Sequence, residues 1–247
     1  MLRGEAGLLP EALPRPALTL LPANERRRAP DTVAISLEVA WRACQDAGVD
    51  PAHLPTVFTS THGDLAITDY MCATLADSPD ALSPTKFHNS VHNAAAGYWS
   101  IATGCMAPYT AVTAWQNSFG AGLLEALVQV HSEQRSVMLV AYDIEGKGPL
   151  ASQSPSEHLL AGAWVFAPAR TPRTHAAIDW EVARRDGQEE TGVHSAAALA
   201  LRGNAMHQCL PLLETLARRE AGPVIYPLGV GQVLSISNTS FYREWIA

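Results

Sequence analysis

The sequence predicts an α/β fold, a mixed and mostly parallel sheet with helices on both faces. One stretch carries most of this: "APYTAVTAWQNSFGAGLLEALVQVHSEQRSVMLVAYD". A β-type run from Tyr109 to Ala114 enters the polar turn "WQNS", a helix follows from Phe119 to about Val130, and "SVMLVAY" is a continuous apolar run. Strand, tight turn, helix and buried strand form a βαβ unit, whose crossover helix covers one face of a parallel sheet. The second observation is an amphipathic helix well upstream, over about 32–47.

In chain order, residues 1–30 hold five prolines and predict an extended arm, and residues 31–247 predict a single domain. Asp31 is placed as an N-cap; Val33, Leu37, Ala40, Trp41 and Cys44 follow at helical spacing; and Gly48 sits where a C-cap glycine belongs. A helix over 32–47 results. Leu54 to Asp64 reads as a short strand entering a polar turn, followed by a helix near 66–76. Pro79 and Pro84 bracket a loop, and Ser90 to Thr103 reads as a helix stopped by Gly104.

Gly120 and Gly122 each cost about 1 kcal/mol of helix propensity against alanine. They are either tolerated without a role or mark a helix packed tightly on a strand or a neighbouring chain. Beyond Pro149 the pattern weakens. Residues 170–188 are mixed and polar, 186–195 a surface loop, 212–222 a helix with a glycine stop, and 231–241 an alternating terminal strand. No internal repeat is present.

A net charge of −7 excludes a nucleic-acid footprint, which needs clustered Lys and Arg; Arg26-Arg27-Arg28 is too short a run to reverse it. Cys44, Cys72, Cys105 and Cys209 are widely spaced, which fits neither a disulfide framework nor a structural zinc site, and implies reduced thiols in a cytoplasmic protein. The proline-rich N-terminus does not read as a signal peptide. "LLAGAWVFAPA" (159–169) falls short of the roughly 20 residues that span a bilayer.

"KFHNSVHNAAAGYWSIATG" places His88 and His92 at the i, i+4 spacing of a zinc helix. A zinc site needs a third ligand, and His62 with Asp64 in "THGD" is the available source. Structural hydrogen bonding by the two His-Asn pairs is the reading preferred here, with no metal and no cofactor.

Asn93, Ala96, Gly97, Ile101, Gly104 and Pro108 then fill without a gap the pattern Asn-x-x-Ala-Gly-x-x-x-Ile-x-x-Gly followed by a proline turn. This resembles the N-terminal half of a β-ketoacyl synthase over roughly residues 31–145. The resemblance implies a thiolase-like half, truncated relative to a full ketosynthase. The family's nucleophilic cysteine falls 23 positions after the asparagine, and counting from Asn93 gives Gln116. A slip of one residue gives Trp115 or Asn117, so no register supplies a thiol. A primary amide neither ionises at physiological pH nor forms a thioester.

Glutamine here resembles the chain-length-factor subunits of two-chain ketosynthases, as in aryl-polyene-type pathways. The resemblance implies no catalytic residue in this chain, a full-length active ketosynthase as heterodimer partner, and an acyl carrier protein engaged indirectly. It places Tyr109, Thr110, Ala111, Val112, Thr113 and Ala114 on the strand at the partner interface. Trp115, Gln116 and Phe119 become acyl-pocket candidates, although both aromatics also read as plain core. His92, Asn93, Gly97 and Gly104 become structural support. Two other readings remain open. One is residual enzyme activity, either malonyl decarboxylation with Gln116 or a serine acyltransferase built on Ser118-x-Gly with Asp143 and His158 or His175. The other is a homodimeric scaffold.

Overall fold

The computed structural model describes residues 2–3, 15–229 and 231–242. The first elements are α1 (Ala23–Arg28), α2 (Asp31–Ala47), β1 (Thr56–Thr59), α3 (Leu65–Asp77) and α4 (Pro84–Asn89). Next come α5 (Ala94–Thr103), β2 (Tyr109–Val112), α6 (Ser118–Glu133), β3 (Val137–Asp143) and β4 (Leu160–Phe166). The chain continues through β5 (Ala176–Arg184), α7 (Ala196–Ala200), α8 (Leu210–Arg218), β6 (Pro223–Pro227) and β7 (Gln232–Phe241).

The strands form two sheets. In the first, of order β2-β1-β3-β4, the three leading members run parallel and β4 joins antiparallel. This is the expected mixed, mostly parallel sheet of a thiolase-like fold. The second, of order β5-β7-β6, is wholly antiparallel.

β3 is the axis of the core, because all seven of its residues are buried. Its side chains alternate between two faces, as strand geometry requires. Val137, Leu139 and Ala141 join a cluster with Leu123, Leu127, Leu210, Tyr226 and Leu234. Met138, Val140 and Tyr142 face Val33, Leu37 and Ala40 of α2 and Tyr98 and Trp99 of α5. Helices therefore cover both faces of the first sheet, which is why its central strand reads as an unbroken apolar run.

Several boundaries differ from the sequence reading. Residues 4–14 of the proline-rich arm lie outside the described residues, but its remainder is not wholly extended. α1 occupies 23–28, and Leu18, Leu21 and Ala29 are buried against α2. Asp31 does not cap α2: Pro30 holds the cap position and the Asp31 carboxylate pairs with Arg15 at 2.7 Å. Gly48 closes α2 at φ 67°, as predicted. Arg173 also donates to the carbonyls of Gln45 and Asp46 there, a cation on the negative end of the helix.

The expected helix over 90–103 starts four residues late, and a separate, unexpected helix precedes it where Pro84 reads as bracketing a loop. Ser83 caps the separate α4, and α5 begins only at Ala94. α8 starts at Leu210 and ends at Arg219, left-handed at φ 57°, rather than at Gly222. β5 and β6 were not expected. β5 is an edge strand in which Ile178 and Trp180 pack on the core and alternate with the exposed Asp179 and Glu181, within a stretch that reads from sequence as mixed and polar. The apolar run at 159–169 is β4, and among the described residues no helix is long and apolar enough to cross a membrane.

α6 lies between the two sheets, and its glycines explain how. A Cβ on Gly122 would stand 2.7 Å from Thr59 Cβ on β1, while one on Gly120 would stand 3.1 Å from both Tyr226 Cβ and the Pro227 carbonyl oxygen on β6. Each glycine thus serves one sheet. Phe119 beside them is 1% exposed and sits edge-on to Trp164 of β4 and Tyr226 of β6, at 5.4 and 5.2 Å between ring centroids. Gly122→Ala should destabilise the protein by about 1–3 kcal/mol through overpacking, despite the gain of helix propensity. The measurement is the urea midpoint, and an unchanged or raised midpoint would show that α6 is free to shift.

Candidate functional site

The parallel strands of the first sheet end on one side of the molecule, the position where open α/β sheets hold their ligands. Three segments meet there: the turn after β2, the loop 60–64 after β1, and Asp143 at the end of β3. Cys105 lies before β2, at the opposite end, with its Sγ 3.6 Å from the Leu54 carbonyl oxygen.

The turn after β2 is a strand-to-helix elbow. Trp115–Asn117 form one turn of 3₁₀ helix that runs into α6. Trp115 adopts φ 54°, a left-handed conformation that a bulky residue takes only when its surroundings impose it. The tie is Ser118: its hydroxyl accepts from the Ala114 N–H at 3.0 Å and donates to the Trp115 carbonyl at 2.7 Å. The Ser118 carbonyl in turn accepts from the buried Thr59 hydroxyl at 2.8 Å. Ser118 therefore clamps the elbow. The indole of Trp115 is 55% exposed and the Gln116 side chain is also exposed.

The loop beside the elbow is organised by a buried charge. Asp143 is 0% exposed, and its carboxylate accepts from the Ser60 hydroxyl at 2.7 Å, the Thr61 N–H at 2.9 Å and the His62 N–H at 3.2 Å. Burial pushes this carboxyl above its ordinary pKa, and the Ser60, Thr61 and His62 donors pull the other way. His62 is depressed below its ordinary value by burial, with the Asp143 charge opposing. The His62 Nε2 lies 2.8 Å from the Ser154 hydroxyl, and its ring meets Trp115 edge-on at 5.9 Å. The Thr113 hydroxyl donates to the Thr61 carbonyl at 3.1 Å, joining the loop to the end of the β2 segment.

The structure brings together only some of the residues singled out from sequence. Trp115 and Gln116 stand at the elbow, whereas Phe119 points into the core between the sheets. Tyr109–Val112 form the outer edge of the first sheet, with Thr113 and Ala114 leading into the turn. His92 reaches the loop, its Nε2 2.9 Å from the Ser60 carbonyl, and Asn93 donates to the Tyr109 hydroxyl at 3.1 Å. Gly104 ends α5 at φ 68°, while a Cβ at Gly97 would meet open space.

His88 lies on α4 and His92 beyond it, so the two do not share the helical face that zinc spacing requires. Asp64 caps α3 and accepts from the Thr32 hydroxyl. Among the described residues, no three His, Cys, Asp or Glu side chains gather as metal ligands. The serine-hydrolase arrangement is not assembled: Ser118 is spent on the elbow, Asp143 on the 60–62 loop, and His175 faces Asp46 at 2.5 Å.

A family model described as the N-terminal domain of beta-ketoacyl synthases matches residues 3–221. The chain belongs to the β-ketoacyl synthase family. The match runs far beyond residues 31–145 and takes in β4, β5 and α8, where the sequence resemblance was weak. No curated protein matches this ketosynthase-family chain. Among solved structures, it is similar to the ketosynthase ApeO in complex with its chain length factor ApeC from Xenorhabdus doucetiae. That match has TM-score 0.67 and 22% identity, over 93% of this chain and 88% of the other. It is also similar to a type II polyketide synthase acyl-carrier protein in complex with its ketosynthase bound to the hexaketide (AntDE:AntF), at TM-score 0.61 and 11% identity over 90% and 85% of the two chains. At these identities the likeness is one of fold.

Trp115→Gly should raise stability by about 1 kcal/mol, because it relieves the left-handed strain and gives up a ring that is largely in solvent. A lower urea midpoint for this variant would mean that the indole contributes more than its conformation costs.

Proposed function

We propose that this chain is the non-catalytic, chain-length-factor-like partner of a cysteine-bearing β-ketoacyl-ACP synthase. It forms a heterodimer with that enzyme in the cytoplasm and shapes the pocket that receives the growing acyl chain, in condensation of the aryl-polyene, polyketide or fatty-acid-like type. The observation that carries the reading is the residue at the elbow. Where the family pattern requires a thiol at the end of β2, this chain presents the amide of Gln116. An amide cannot carry an acyl chain as a thioester.

The surface around β2 supports a partner. Among the described residues β2 is an edge strand without a neighbour on its outer side, and such an edge invites pairing. Gly97 and Ile101 lie at i, i+4 spacing on α5, which Asn93 precedes and which packs against β2, and Ile101 is exposed. Met106, 92% exposed, and Tyr109 are exposed apolar residues before and at the start of β2. In the family that the chain belongs to, the strand before the nucleophile pairs with its counterpart across the dimer. With Trp115 and Gln116 at the end of that strand, both would face the shared pocket. The net charge of −7 leaves contact with an acidic carrier protein to the partner.

Three experiments test this. The chain should co-purify with a ketosynthase encoded beside it, and condensation should be lost when it is omitted. In that pair Gln116→Ala should lower turnover by less than about tenfold, whereas loss of a group that stabilises a reacting centre costs about 10²–10³-fold. A loss on that scale, with the complex intact, would assign chemistry to position 116. Ala114→Trp should weaken pairing or shorten the products, and unchanged assembly and product length would place the interface elsewhere.

A further inference from the structure

We infer that His62 is a positioning residue for Trp115, and that the buried Asp143 network exists to hold the His62 ring in place. The inference rests on the reading above only in what Trp115 then does, which is to bound the acyl pocket.

Trp115 needs an external support. Its indole is largely exposed, so core packing does not choose its rotamer, and its left-handed backbone carries it away from the buried Phe119 four residues on. The ring that meets it is the imidazole of His62, edge-on at 5.9 Å. An edge-to-face aromatic pair has a preferred geometry and favours one indole orientation over the alternatives.

His62 is held at two points. Its backbone N–H donates to Asp143 Oδ1 at 3.2 Å and its Nε2 lies 2.8 Å from the Ser154 hydroxyl. The preceding residue is gripped as well: the Thr61 N–H donates to Asp143 Oδ2 and the Thr61 carbonyl accepts from Thr113. The Ser60 hydroxyl bridges Asp143 and the Gly63 N–H, at 2.7 and 2.8 Å. Among the described residues no Lys or Arg hydrogen-bonds or ion-pairs with this fully buried carboxylate, which is served by neutral donors, an unfavourable arrangement for stability. The segment it fixes delivers one side chain towards the elbow, and that side chain is His62.

The test uses 19F NMR of the full chain labelled with 5-fluorotryptophan. The six tryptophans give separate lines, and Trp115→Phe assigns the line of interest. In His62→Ala and His62→Gln the Trp115 line should shift towards the free indole position and narrow, while the others stay in place. His62→Phe, which keeps an aromatic edge, should restore it. Ser154→Ala should broaden the line without abolishing the contact. An unmoved Trp115 line in His62→Ala would overturn the inference. So would movement of all six lines, or rescue by glutamine instead of phenylalanine.

The same variants, purified with the co-purifying ketosynthase, are then scored for product length. A longer or broader product distribution in His62→Ala, returned to wild type by His62→Phe, is the expected result. A shifted fluorine line with unchanged products would keep His62 as the support of Trp115 and remove Trp115 from the acyl pocket, so the two claims fail separately.

Discussion

α6 lies with its first two turns between two sheets, and at Gly120 and Gly122 no side chain separates its backbone from either of them. On one side the Thr59 side chain fills the space that a Cβ would need, and its hydroxyl donates to the Ser118 carbonyl. On the other, Tyr226 and Pro227 of β6 press against the same helix. This close approach fixes where α6 begins, and so fixes the elbow before it. The three-residue 3₁₀ turn, the Ser118 clamp and the left-handed Trp115 follow from a short strand that must turn into a helix already seated against β1.

At the carboxyl end of the parallel strands a left-handed bulky residue and a fully buried carboxylate lie close together. The remainder of the core is ordinary: β3 alternates between two apolar clusters, and α2 and α6 supply the cover. A left-handed tryptophan, a buried aspartate without a cation and a partly buried imidazole stand together at one edge of that regular body. Departures from local preference cluster where a protein has something to do. Here they surround the exposed amide of Gln116, a side chain with no nucleophilic chemistry.

How much of this was legible in the sequence varies by element. The βαβ unit was readable because β3 is covered on both faces and so is apolar throughout, and because α6 carries its own spacing. α2 was readable down to its terminal glycine, although Asp31 was misplaced as a cap when it pairs with Arg15 instead. β5 was missed although Ile178, Trp180 and Val182 alternate with Asp179 and Glu181, because this short run sits inside a stretch that is polar on average. The helix at 90–103 was drawn four residues too long at its start, since Asn93 holds the N-cap of α5, and the short α4 before it was missed. The Asp143 network had one available sign, a carboxylate ending a wholly apolar strand, but its partners lie 81 to 83 residues away along the chain.

The sequence by itself determined the α/β class, the family pattern from Asn93 to Pro108, and the absence of a thiol at position 116, because these depend on residue identity and short-range spacing. Only the tertiary structure decided the rest. It sent Phe119 inward and Trp115 outward, assigned Gly122 to one sheet and Gly120 to the other, and joined His62 to Ser154 across the molecule. The physical reason is that side-chain direction at a turn, and the partners of a buried charge, are set by contacts between segments distant along the chain, which no local pattern encodes.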